Sequence, residues 1–245
     1  MKKKILTVAL VLALLAIVVS GSLAYFTAQD QVTNTFTIGS VLIDIWENNE
    51  ATDEDVLEFD TPLVPIVNTT DVTADDGYAA KAVKVENTGV SSAYVRTHIA
   101  FPTALIGYLE AKVDLTAWTY VGTLAGSSTA TVDGVDYTVF TYDYNSALAA
   151  GEFTEEVLKG VYLKSDVDLK DNPATPSADL EICKKEADGS YTFSGYVAHE
   201  KTTNGYEATT LKILVASEAI QSQGFTEGAT AALNTGFGAN TNPWA

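Results

Sequence analysis

The residue types that could do chemistry are few. The chain has two histidines, His98 and His199, and one cysteine, Cys183. His199-Glu200 opens like the zinc motif His-Glu-x-x-His, in which two histidines one helical turn apart hold the metal and the glutamate acts as base. No second histidine follows it. His98 shares a face with Tyr94 and Arg96 along a strand-like run and reads as a structural or surface histidine. Cys183 sits in the apolar alternation Glu181-Ile182-Cys183, so it reads as a small buried hydrophobe. A single cysteine has no intramolecular disulfide partner. No serine stands in Gly-x-Ser-x-Gly, and no dinucleotide or P-loop glycine pattern occurs. Two acidic groups, Asp71 with Asp75 and Asp76, and Asp166 with Asp168 and Asp171, offer the oxygens a calcium ion prefers. They lack the EF-hand spacing, and solvated loop acids are the plainer reading. The sequence therefore points to no catalytic residue, no cofactor site and no metal site.

The composition points elsewhere. The chain has 245 residues, with 32 Asp plus Glu against 14 Lys plus Arg, for a net charge of −18. Such acidity repels nucleic acid and excludes it as a partner class. Three of the cations, Lys2, Lys3 and Lys4, begin the chain. An apolar run from Ile5 to Ser20 follows, then the small residues Gly21-Ser22-Leu23-Ala24. This is the layout of a secretory signal peptide, with Ser22 and Ala24 at the cleavage positions and Tyr25 as the expected new N-terminus. An uncleaved N-terminal anchor is the competing reading. The run is short for the ~20 residues of a membrane span. Cleavage takes the net charge to about −21.

Next comes a segment built for strand pairing. Tyr25 begins it, and Phe26, Ala28, Val32, Phe36 and Ile38 fall on one face, interrupted by Asp30 and Asn34. At Gly39-Ser40 the alternation changes phase, and Val41, Ile43 and Ile45 carry the apolar face. A phase change at a glycine reads as a break between strands, here a hinge. Beyond it, Val83 to Glu86 and Ala93 to Phe101 are expected as an antiparallel hairpin around Asn87-Thr88-Gly89. Asp133-Gly134 reads as a hairpin tip. Residues 165–179, with Pro173 and Pro176, look like a surface excursion. Leu211, Ile213 and Val215 mark the clearest late strand, and 226–234 a short helix. Short strands between turn signals predict an all-β antiparallel sandwich with long loops and one or two short helices. The expected layout is a signal peptide (1–24), an assembly segment (25–38), a sandwich domain (39–235) and a mobile tail (236–245).

The small-residue exit, Ala24-Tyr25-Phe26-Thr27, Asn34-Thr35-Phe36-Thr37-Ile38-Gly39-Ser40-Val41 and the alternating Ile43 and Ile45 together resemble the start of the TasA/camelysin family. The likeness is specific over about residues 1–46 and looser over Val83–Phe101 and Ile213–Phe225. The family comprises secreted proteins of Gram-positive bacteria, processed by a SipW-type signal peptidase. The resemblance implies a jelly-roll-like sandwich and a secreted, extracellular-matrix or cell-surface location. It also implies biofilm matrix fibres in which the N-terminal segment is a donor strand that joins copies head to tail. The expected partners are the chain itself, the signal peptidase and other matrix proteins or polysaccharide. Camelysin-type relatives carry a metallopeptidase label, for which this sequence has no motif. The first alternative is a monomeric surface-associated binding module for a polysaccharide or host partner, and a camelysin-like secreted metallopeptidase comes after it. For the segment itself two readings stand side by side: a strand donated to a neighbour, or the first strand of its own sandwich. Burying Phe26, Phe36 and Ile38 in either place contributes about 1.5–3 kcal/mol each before ordering costs.

Overall fold

The computed structural model describes residues 27–30, 41–48, 50–52, 56–58, 64–124, 130–239 and 241–244. In chain order the strands are β1 (Thr27–Asp30), β2 (Ile43–Glu47), β3 (Glu50–Thr52), β4 (Val56–Glu58), β5 (Tyr78–Asn87), β6 (Ala93–Pro102), β7 (Leu109–Val113) and β8 (Trp118–Leu124). They continue with β9 (Ala130–Val132), β10 (Val135–Tyr144), β11 (Leu158–Leu163), β12 (Val167–Asp171), β13 (Leu180–Lys185), β14 (Tyr191–Thr202), β15 (Gly205–Ala208) and β16 (Lys212–Gln221). Helix α1 spans Ala229–Phe237, and Val72–Ala74 and Thr103–Leu105 are 3-10 turns.

Two antiparallel sheets face each other. Sheet A has the order β1-β16-β6-β10-β8, with β4 also on β16 and β9 also on β10. Sheet B has the order β3-β2-β5-β11-β7. Apart from the short hairpins β2-β3 and β9-β10 and the β8-β10 pair, neighbours in each sheet are distant in sequence, and the chain passes repeatedly from one sheet to the other, as in a jelly roll. The alternation that predicted strands also builds the core. Val41, Ile43, Ile45, Val83 and Val85 from the sheet B side meet Val95, Ile99, Ile213, Val215 and Ala219 from sheet A in one buried cluster. The fold is thus the all-β, jelly-roll-like sandwich that the sequence implied.

Two expectations are corrected. Val83–Glu86 and Ala93–Phe101 do not form a hairpin. β5 pairs with β2 and β11, whereas β6 pairs with β16 and β10. The Asn87-Thr88-Gly89 signal marks a corner between sheets, held by the Asn87 side-chain amide donating to the Ser91 and Leu148 carbonyls at 2.8 and 3.0 Å. The excursion at 165–179 holds a strand, β12, which opens a third sheet of order β12-β13-β14-β15. Its Val167 and Ile182 belong to the sandwich core cluster. The tip at Asp133-Gly134 is as expected, with φ of 52° and 80° at the two positions, the left-handed pair of a tight hairpin turn. No helix among the described residues is long and apolar enough to cross a membrane.

Candidate functional site

β16 is the strand around which the candidate site is built. Its sequence KILVASEAIQ has almost no polar face, and Ile213 through Ile220 are all buried. Odd positions face the core, and even positions face outward from the sandwich. One edge of β16 pairs with β6 from Leu214 opposite Ala100 to Gln221 opposite Ala93. The other edge is shared by two short strands. β4 takes Lys212 to Leu214, and β1 takes Ser217 to Ile220, with Thr27 opposite Ile220 and Asp30 opposite Ser217. A strand buried on both faces must satisfy both of its edges, and these two plugs cover Lys212–Leu214 and Ser217–Ile220 of the second one.

Of the assembly-segment residues, Ala28 lies in β1 opposite Ala219. Ala24, Tyr25, Phe26, Val32, Phe36, Ile38, Gly39 and Ser40 lie outside the described residues. Val41, the first described residue after Ser40, is buried, as are Ile43 and Ile45, so the second phase of the alternation faces the core. The structure therefore contains the arrangement in which Thr27–Asp30 complete their own sheet.

Behind this edge lies a polar cluster that sequence reasoning missed. On the outer face of sheet A, Arg96, His98, Thr141, Asp143 and Glu218 are all buried. The Arg96 guanidinium grips the Asp143 carboxylate with Nε to Oδ1 at 2.7 Å and Nη2 to Oδ2 at 3.2 Å. It also donates to Asn234 Oδ1 and to the Gly238 carbonyl, each at 2.8 Å. His98 Nδ1 lies 3.0 Å from Thr141 Oγ1, and its Nε2 is 3.6 Å from Glu218 Oε2. Among the described residues that Nε2 has no hydrogen-bond partner. The register makes the cluster inevitable once the strands pair, since Arg96 stands opposite both Asp143 and Glu218, and His98 opposite both Thr141 and Ala216. The one visible signal was charge inside apolar runs: Arg96 and His98 in β6, and Glu218 in β16.

α1 and the following segment cover this face. Ala232 and Leu233 are fully buried beside Ile220, with Tyr94, Phe225 and Phe237 packed around them. Trp244, expected in a mobile tail, packs against a second cluster of Ala100, Ala130, Tyr137, Val139 and Leu214.

The other candidates stand apart. His199 is on β14, opposite Leu180 and Ala208 in the third sheet, away from His98 on β6. Cys183 is buried, and its thiol donates to the Asp168 carbonyl at 3.4 Å; burial pushes its pKa up, away from thiolate chemistry. Asp75 accepts from the backbone amides of Val67, Asn68 and Gly77, which hold its carboxyl below the usual range. Asp71 does the same for Thr73, through side chain and backbone. Asp168 pairs with Lys170 at 3.0 Å and Asp166 with Lys184 at 3.1 Å. No group of three or more His, Cys, Asp or Glu residues among those described is arranged to hold a metal ion. No family model, curated protein or solved structure matches this chain.

Proposed function

We propose that this chain is a secreted structural protein whose copies join into extracellular matrix fibres by exchanging their N-terminal strands. The observation that carries the reading is the pairing of β1 with the outer edge of β16, four residues against four. So short a strand at a sheet edge is held mainly by backbone hydrogen bonds, which the same strand of a second copy satisfies equally well. In cis it closes its own sheet; in trans it links one copy to the next, a heterologous contact that propagates without closing. Signal cleavage before Tyr25 frees this strand only after export, which withholds polymerisation inside the cell. The reading gives the chain no catalytic role.

The test is removal of the strand. Mature protein lacking Tyr25–Val32 is expected to stay soluble and folded by circular dichroism and to form no fibres by electron microscopy, while mature protein beginning at Tyr25 does. Normal polymerisation of the truncated chain would rule out strand exchange.

A further inference from the structure

α1 is a poor helix by its own sequence. Its N-cap is Gly228 at φ 92°, with no side-chain cap, and Asn234, Thr235 and Gly236 fill its last turns. Nine residues of this composition do not hold a helix in water. Docking makes the helix, and the docking has two components. The apolar one is Leu233 with Ala232 on Ile220. The polar one is Arg96, which donates to Asn234 Oδ1 and to the Gly238 carbonyl.

The apolar component rests on β16 itself, and the polar one on β6 beside the same stretch. Ile220 stands between Tyr94 of β6 and Thr27 of β1, and Glu218 stands between Arg96 and Gln29. Of the two residues on which α1 rests, Ile220 itself pairs with the N-terminal strand, and Arg96 is the β6 neighbour of Glu218, which pairs with that strand too. The other plug of β16, β4, pairs at Lys212–Leu214, outside this stretch.

We infer that α1 with Gly238 is a clasp that backs the strand-accepting edge, and that Arg96 and Asn234 are its positioning residues. This rests on the strand-exchange reading for its consequence in fibres; the coupling itself concerns a single chain. Clamping Ser217–Ile220 between α1 and the core fixes the twist and register that an N-terminal strand must match, whichever copy supplies it. Loosening the clasp frees β1 selectively, because β6 and β10 keep their other pairings. The two ends of the chain therefore act on one strand from two sides, the C-terminal segment from the face and the N-terminal strand from the edge.

The test is hydrogen–deuterium exchange on the full mature chain, comparing wild type with Leu233→Ala, Asn234→Ala and Asn234→Asp. The two alanine variants are expected to speed exchange at residues 27–30 and 217–220 by about tenfold. Residues 97–101 and 139–142 of the same sheet should be unchanged. Asn234→Asp keeps an acceptor for Arg96 and should restore protection. Acceleration spread evenly over sheet A, or no acceleration at 27–30, overturns the inference. A labelled peptide of residues 25–38 is offered to the wild-type chain in parallel. Failure to capture that peptide counts against strand exchange and leaves the exchange pattern to decide the clasp.

Discussion

The two outer faces of the sandwich invert the usual rule. On sheet A the covered face holds buried polar groups, Arg96, His98, Thr141, Asp143 and Glu218, and Arg96 meets α1 through Asn234. On sheet B the face that keeps contact with solvent carries aromatic rings. Trp46 and Phe153 meet edge to face at 5.2 Å, Lys84 Nζ sits 4.5 Å from the Phe153 ring and 5.8 Å from Trp46, and Tyr78 and Tyr162 lie 6.4 Å apart. Asp44, Ala80, Glu110 and Lys112 are exposed around them. Apolar packing alone would let α1 slide or turn on its face. A guanidinium with four acceptors does not, because any other seating leaves a buried charge unsatisfied. Among the described residues no helix is seen to cover sheet B in this way. Its outer face is held by pairwise contacts in water, each worth a fraction of a kcal/mol to about one.

The largest effect expected from this contrast belongs to Arg96. Arg96→Ala strands the Asp143 carboxylate in the interior and removes both polar anchors of α1, at Asn234 and Gly238. Urea unfolding should show a loss of about 3–5 kcal/mol. Replacing the pair together, Arg96→Met with Asp143→Leu, should recover most of that loss while leaving α1 less firmly seated, since Asn234 and Gly238 still lack their donor. A smaller effect is expected at Gly160. There the Tyr78 ring lies against the sheet with its hydroxyl donating to the Lys159 carbonyl at 2.7 Å, and a Cβ would overlap both that ring and the Ala79 carbonyl. Gly160→Ala should cost about 1–3 kcal/mol by displacing the ring. Smaller again is Lys84→Ala, which removes a partly exposed cation from two rings and should cost about 0.5–1 kcal/mol. A Lys84 effect as large as that of Arg96 would erase the distinction between the faces.

The sequence made some of this legible and hid the rest for identifiable reasons. Ile43 and Ile45, Val83 and Val85, and Leu211, Ile213 and Val215 alternate, and a period of two reports that a residue faces the core. It does not report which sheet supplies the strand. That is why β5 and β6, consecutive and alike in pattern, read as a hairpin although they lie in opposite sheets. A turn signal such as Asn87-Thr88-Gly89 serves a corner as well as a hairpin. Pro173 and Pro176 are loop signals, and Val167–Asp171 just before them is too short a strand to show a clear period of two. The polar cluster was hidden by distance: Arg96 meets Asp143 across 47 positions and Asn234 across 138. Only the oddity of charge within apolar runs was visible, and it names candidates for a buried network without naming their partners.

The smallest effect expected on the open face is also the one with the clearest pH signature. Tyr162 donates from its hydroxyl to Glu110 Oε2 at 2.6 Å. That hydrogen bond is the leading cause that pushes the Tyr162 phenol up to about 12 and holds the Glu110 carboxyl below its usual range; Lys164, 3.3 Å from Glu110, assists the latter. The signs follow from linkage. A phenol raised on folding contributes fully below its ordinary value of about 10 and loses the contribution as pH rises through the folded value. A carboxyl lowered on folding contributes above its ordinary value of about 4.3 and loses the contribution as pH falls through the folded value. The pair should thus add a flat increment across neutral pH that fades at both ends. Because the groups are largely in water, the increment is roughly 0.2–1 kcal/mol. Tyr162→Phe should remove it, take one phenol away from the group raised to about 12, which also holds Tyr142 and Tyr196, in the absorbance titration, and return the Glu110 carboxyl towards its ordinary value in an NMR titration. The same variant should leave protection on β16 unchanged, since the strands that α1 packs on among the described residues are β6, β16 and β10 of sheet A. A change in exchange at 217–220 after Tyr162→Phe would show that the two faces are coupled after all.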